Sequence, residues 1–139
     1  MKRILIAVVL LAAGLAAPPL PVAAQGSTAA LPARVSSEKG VTVTVKPGSF
    51  VGDAKTWNFE IVLDTHSQDL SDDLVKSAVL VDGEGREYAP TGWDGAAPGG
   101  HHREGVLRFN PVSPPPQAIE LQIRRPGEAS PRVFRWQLK

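Results

Sequence analysis

The chain has 139 residues, no cysteine, and 15 basic against 14 acidic side chains. That length suits one domain with a self-supporting core. The near-neutral balance argues against nucleic acid or an anionic membrane as a partner, and the missing cysteine excludes a disulfide framework and a lipid-anchored N-terminus.

Residues 1–24 read as a secretory signal peptide. Lys2 and Arg3 form a basic start, and residues 4–17 are apolar and free of charge. Pro18, Pro19 and Pro21 break any helix, and Val22, Ala23 and Ala24 supply the small residues that a signal peptidase reads. This order predicts cleavage after Ala24. The apolar run falls short of the roughly 20 residues a membrane span needs, and no later segment approaches that length. The Ala/Leu-rich leader looks bacterial, so the expected destination is the periplasm or the outside of the cell. The signal carries two of the basic residues and none of the acidic ones, which leaves a mature chain of net charge near −1. No membrane span is expected in it.

Residues 25–37 are rich in Ala, Ser and Pro and carry no clear pattern, so a flexible lead-in is expected there. Residues 38–139 read as a β-sandwich domain. Val41, Val43 and Val45 alternate with Thr42, Thr44 and Lys46, the mark of a half-buried strand. Trp57, Phe59, Ile61 and Leu63 alternate with Asn58, Glu60, Val62 and Asp64 in the clearest strand of the chain. Leu70, Leu74 and Ala78 are spaced by four, which predicts one or two helical turns with Ser71 as cap and Asp72 and Asp73 against the dipole.

A strand over 78–81 is turned back by Asp82-Gly83-Glu84-Gly85 into 86–89, a strong hairpin signal. Further strands are expected over 106–109, over Ile119, Leu121 and Ile123, and over Phe134, Trp136 and Leu138. About seven short strands with Pro/Gly turns predict an all-β fold, an antiparallel immunoglobulin- or fibronectin-like β-sandwich. A small barrel is the alternative. Trp57, Phe59, Phe109, Phe134 and Trp136 are the expected core. Arg124, Arg125, Arg132 and Arg135 are expected to guard the outer faces and edges of the last strands.

The chemistry concentrates in GWDGAAPGGHHREG, residues 92–105, which holds two of the three histidines. His66 lies just past the end of the Trp57 strand. His101 and His102 are expected just before the strand at 106–109. If these strands are antiparallel neighbours, His66 and at least one of His101 and His102 meet at one rim. Neutral imidazole suits zinc or copper(II), and Asp64, Asp94 and Glu104 are the carboxylates at hand, with Asp94 the expected fourth member of the set. Such binding should weaken below about pH 6 as protons compete.

The competing reading is structural: adjacent residues in extended chain point apart, loop histidines often satisfy backbone groups, and Trp93 then lids the core. Asp82-Gly83-Glu84-Gly85 lacks the ligand spacing of a calcium loop. Ser67 beside His66 lacks a nucleophile elbow, so no enzymatic activity is expected.

THS at 65–67 together with GGHHREGVLRF at 99–109 resembles the signature of small exported bacterial proteins with an immunoglobulin-like sandwich. In size, export and fold the chain is distantly similar to periplasmic copper-resistance domains of the CopC type. Those proteins look to a histidine at the mature N-terminus, where this chain is expected to carry Gln25. The resemblance therefore implies a different ligand set, drawn from His66, His101 and His102. The sequence leaves two functions open: metal binding at the rim, or an interaction module of the cell envelope that docks a partner protein.

Overall fold

The computed structural model describes residues 31–50 and 54–138, together with Gly14. Apart from Gly14, the expected signal peptide and most of the lead-in lie outside the described residues.

Nine strands and one helical turn follow in chain order: β1 (Arg34–Glu38), β2 (Val41–Pro47), β3 (Trp57–Thr65), α1 (Leu74–Ser77), β4 (Ala78–Asp82), β5 (Glu87–Tyr88), β6 (Gly92–Gly95), β7 (His102–Phe109), β8 (Ala118–Ile123) and β9 (Arg132–Gln137). They form two antiparallel sheets, one ordered β1-β2-β3-β7-β6 and the other β5-β4-β8-β9. Period-2 alternation explains the inner faces. Val41, Val43 and Val45 of β2, Trp57, Phe59, Ile61 and Leu63 of β3, and Leu107 and Phe109 of β7 are all buried. They meet Leu80, Ile119, Leu121, Ile123, Phe134 and Trp136 of the second sheet in one cluster. Rings join the layers: Phe59 lies 5.6 Å from Phe109 within its sheet and 5.7 Å from Trp136 across the gap. The five aromatic residues expected in the core are all there.

Several expectations need correction. Among the described residues there are nine strands, not about seven: β1 and β6 carry too little alternation to be recognised in the sequence. The end of the supposed lead-in is β1, paired with β2 from Arg34↔Val45 to Glu38↔Val41. None of its five residues is buried, so it has no apolar face to show in the sequence. Finally, β7 begins at His102, four residues earlier than expected, because Arg103 is an inward-facing residue of the strand that hydrophobicity alone cannot identify.

Leu70, Leu74 and Ala78 are all buried, but only Leu74 lies in the helix, Leu70 preceding it and Ala78 opening β4. The helix has one turn, and Asp73, not Ser71, caps it by accepting from the Lys76 N–H. The Asp82 turn is a hairpin turn: its Oδ1 accepts from the Glu84 and Arg86 N–H groups at 2.9 and 3.0 Å.

The arginine expectation fails for two of four residues. Arg125 and Arg132 are buried. Arg125 holds Asp72 through two bonds of 2.9 and 3.0 Å, and reaches Glu128 at 3.1 Å. Arg132 holds Glu128 through two bonds of 2.9 Å. Its remaining donors reach the carbonyls of Ser36, Glu38 and Val41 at 2.8–3.0 Å. Buried charges are tolerated only when paired and hydrogen-bonded, and here the chain of four charges is fully knitted. It seals the end of the sandwich where β1 turns into β2. Arg135, by contrast, does guard an outer face, paired with Glu120 at 2.6 Å.

Candidate functional site

The rim bearing the histidines is built by the register of β3 against β7. Asp64 is the cross-strand partner of His102, and the Thr65 N–H donates to the His101 carbonyl at 2.9 Å. The backbones of His66 and His101 therefore adjoin at one end of the sheet. Gly99 and Gly100 both have positive φ, 116° and 77°, which lets the chain fold back sharply before β7. The fold-back is laced to the segment after β3. Leu70 N–H donates to the Gly100 carbonyl, Gly99 N–H to the Leu70 carbonyl, and Gly100 N–H to Asp69 Oδ1. On the other side, Thr65 Oγ1 donates to the Gly40 carbonyl and accepts from the Ser67 and Gln68 N–H groups. His66 sits in the bend held between these two turns, and is exposed.

His102 starts a strand, so its side chain shares the outer face with Glu104, two residues on, and with Asp64 opposite. Its Nδ1 lies 2.5 Å from Asp64 Oδ1 and its Nε2 lies 3.4 Å from Glu104 Oε2. The hydrogen bond to Asp64, then the one to Glu104, raises the imidazole pKa above its ordinary 6.5, because both carboxylates favour the charged ring. A raised folded-state pKa gives a contribution to stability that is fully present below 6.5 and lost as pH rises through the folded value. The group is solvent-facing, so the effect on stability is small. An NMR pH titration should place the His102 midpoint above 6.5. Asp64→Asn should bring it down further than Glu104→Gln does. Equal movement in the two variants would contradict the dominant role of Asp64.

Asp94 is not brought to the histidines. It pairs with Val106, four residues along β7 from His102, or about 13 Å at strand rise. Its carboxylate stands 3.0 Å from Arg108 Nε, an ion pair without hydrogen-bond geometry. Among the described residues, no group of three or more His, Cys, Asp or Glu side chains is arranged to hold a metal ion.

Two residues of the loop do other work. The Trp93 ring is half-buried, its Nε1 donates to the Ala96 carbonyl at 3.0 Å, and it packs against the core. It also covers the close approach of β6 and β7, where a Cβ at Gly95 or Gly105 would come within 2.6 Å of the opposite strand's backbone. Arg103, 1% exposed, was missed by sequence reasoning. It donates to the carbonyls of Leu70, Asp72 and Ala96 and lies 5.7 Å from the Trp93 ring centre. It thereby ties the fold-back to the segment after β3 from within, and no local pattern marks an arginine for that task.

No protein-family model matches the chain, and no curated protein or solved structure does either.

Proposed function

We propose that the chain is an exported, non-enzymatic β-sandwich of the bacterial envelope that binds zinc or copper(II) at the β3–β7 rim. Export rests on the order of basic, apolar and small residues over 1–24. The fold belongs with immunoglobulin-like sandwiches in the broad sense of two packed antiparallel sheets. Its strand order departs from the constant-domain pattern, in which the chain changes sheets after the second strand, since β1, β2 and β3 here form one meander.

The observation that carries the metal reading is the placement of His102. Two ligands of a tetrahedral ion with bonds of about 2.0–2.1 Å lie ~3.3 Å apart. His102 Nε2 and Glu104 Oε2 are 3.4 Å apart, long for a hydrogen bond and close to that separation. Asp64 holds the other ring nitrogen, as an orienting carboxylate does behind a metal-bound imidazole. Two protein ligands then bind the ion, with water completing the shell. Asp94, engaged with Arg108, has no part in it.

The docking alternative draws less support, because the Trp93 it would present is half-buried with its N–H already bonded. Calorimetric titration of zinc and copper(II) into tag-free protein tests the reading. His102→Ala should abolish binding, and Asp64→Asn should weaken it about 10–100-fold. His66→Ala and His101→Ala show whether either histidine joins the shell. Affinity should fall as pH drops through the raised pKa of His102. Unchanged affinity in His102→Ala would remove the site.

A further inference from the structure

The β1 strand is attached to the domain in an unusual way. It is an edge strand with no buried side chain, and Val35 is 64% exposed. What holds it is polar: the ladder to β2, the Ser37–Thr42 hydroxyl contact of 2.9 Å, and the Arg34 bond to the Arg135 carbonyl. Arg132 adds two bonds to the carbonyls of Ser36 and Glu38. The Trp136 N–H reaches the carbonyl of Pro32 just before the strand. Little apolar surface resists its departure.

The turn that returns β1 onto its own β2 is strained. Glu38 pairs with Val41, so Lys39 and Gly40 form the whole loop, with φ of 50° and 76°. Such a turn needs left-handed backbone at both positions, which suits Asn-Gly and not Lys-Gly. Lys39 is the non-glycine residue with positive φ among the described residues. A tight hinge under strain favours exchange of the element it carries.

The vacated place is not left open. Arg132 is fully buried, and without β1 two of its bonds to carbonyls would be lost, which is costly for a buried guanidinium. The site demands an extended strand with carbonyls spaced as those of Ser36 and Glu38. A second copy of this chain supplies that strand in identical form. We propose that β1 is an exchangeable strand: in a dimer of this protein, the β1 of each copy pairs with the β2 of the other, and the Lys39-Gly40 turn opens. This goes beyond the metal reading and does not depend on it.

The chain has no cysteine, so introduced thiols report cleanly. Ser37→Cys and Thr42→Cys are made as separate variants and mixed at high protein concentration under mild oxidation. Exchange brings position 37 of one copy against position 42 of the other. The mixed 37–42 disulfide should then form well above the level of either self-disulfide. Adding Gly40→Val to both variants should increase it, because φ near 76° is closed to valine and a Cβ there meets Ser67 Oγ at 2.9 Å. Lys39→Gly should decrease it by relieving the turn. Should Gly40→Val fail to fold, the other two backgrounds still decide. A mixed disulfide no more abundant than the self-disulfides overturns the proposal, as does a dimer that lacks the 37–42 link.

Discussion

Phe59→Ala should remove about 3–5 kcal/mol of folding stability, the range for deleting a buried aromatic ring. Phe59 is fully buried at the centre of the molecule, with rings of Phe50, Phe109 and Trp136 at 5.2, 5.6 and 5.7 Å. The cost has two parts: the transfer free energy of the ring, and a cavity that β-sheet neighbours on both layers cannot collapse to fill. Small domains have only about 5–15 kcal/mol in total, so the variant should sit near the edge of folding. Urea denaturation followed by tryptophan fluorescence checks this. The midpoint should fall steeply while the slope stays constant. Val133→Ala on the exposed side of β9 serves as the control and should change little, as surface substitutions do. A small shift for Phe59→Ala would mean that the two sheets do not close around it.

The contrast between these two positions is also why much of the fold was legible in the sequence. Phe59 lies in a run where Trp, Phe, Ile and Leu occupy every second place, and only a strand puts such residues on one side. The hydrophobic period reports the inner face and nothing else. β1 has no inner face of its own, so its sequence reads as lead-in. β6 is four residues long and buries only part of Trp93. Arg103 and Arg132 occupy inward positions in β7 and β9, yet Arg132 reads as a guard and Arg103 as part of a loop, because hydrophobicity does not foresee a buried guanidinium that donates to backbone carbonyls.

The rim was half legible. The positions of His66 and of the His101-His102 pair at strand ends pointed to one end of the sheet. The residues that engage His102 were then a matter of register. Register follows from pairing partners far apart in sequence: Asp64 and His102 are directly opposite, while Asp94 falls several residues along the neighbouring strand. The Asp72–Arg125 pair joins residues 53 positions apart and left no local signal at all.

That ion-pair chain carries the other large effect. Glu128 is its pivot, since its carboxylate is shared by Arg125 and Arg132, and all three side chains are nearly inaccessible. Glu128→Gln keeps the shape but removes the charge and turns an amide N–H₂ toward a cation. Buried Arg132 then loses its counter-ion and Arg125 is left with Asp72 alone, and breaking one partner of a buried pair costs about 3–5 kcal/mol. The pH dependence distinguishes this from a simple packing defect. The hydrogen bonds from Arg132, with Arg125 behind them, hold the Glu128 pKa below its ordinary 4.5. A depressed folded-state pKa gives stability that is fully present above 4.5 and is lost as pH falls through the folded value. The wild type should therefore lose stability in acid where Glu128→Gln shows a flatter profile. The gap between the two, measured by urea midpoints from neutral pH downward, should be widest near neutrality and should shrink below pH 4.5. A gap that stays constant across that range would show that the carboxylate acts by shape alone, and that the charges at the sealed end of the sandwich do not hold it shut.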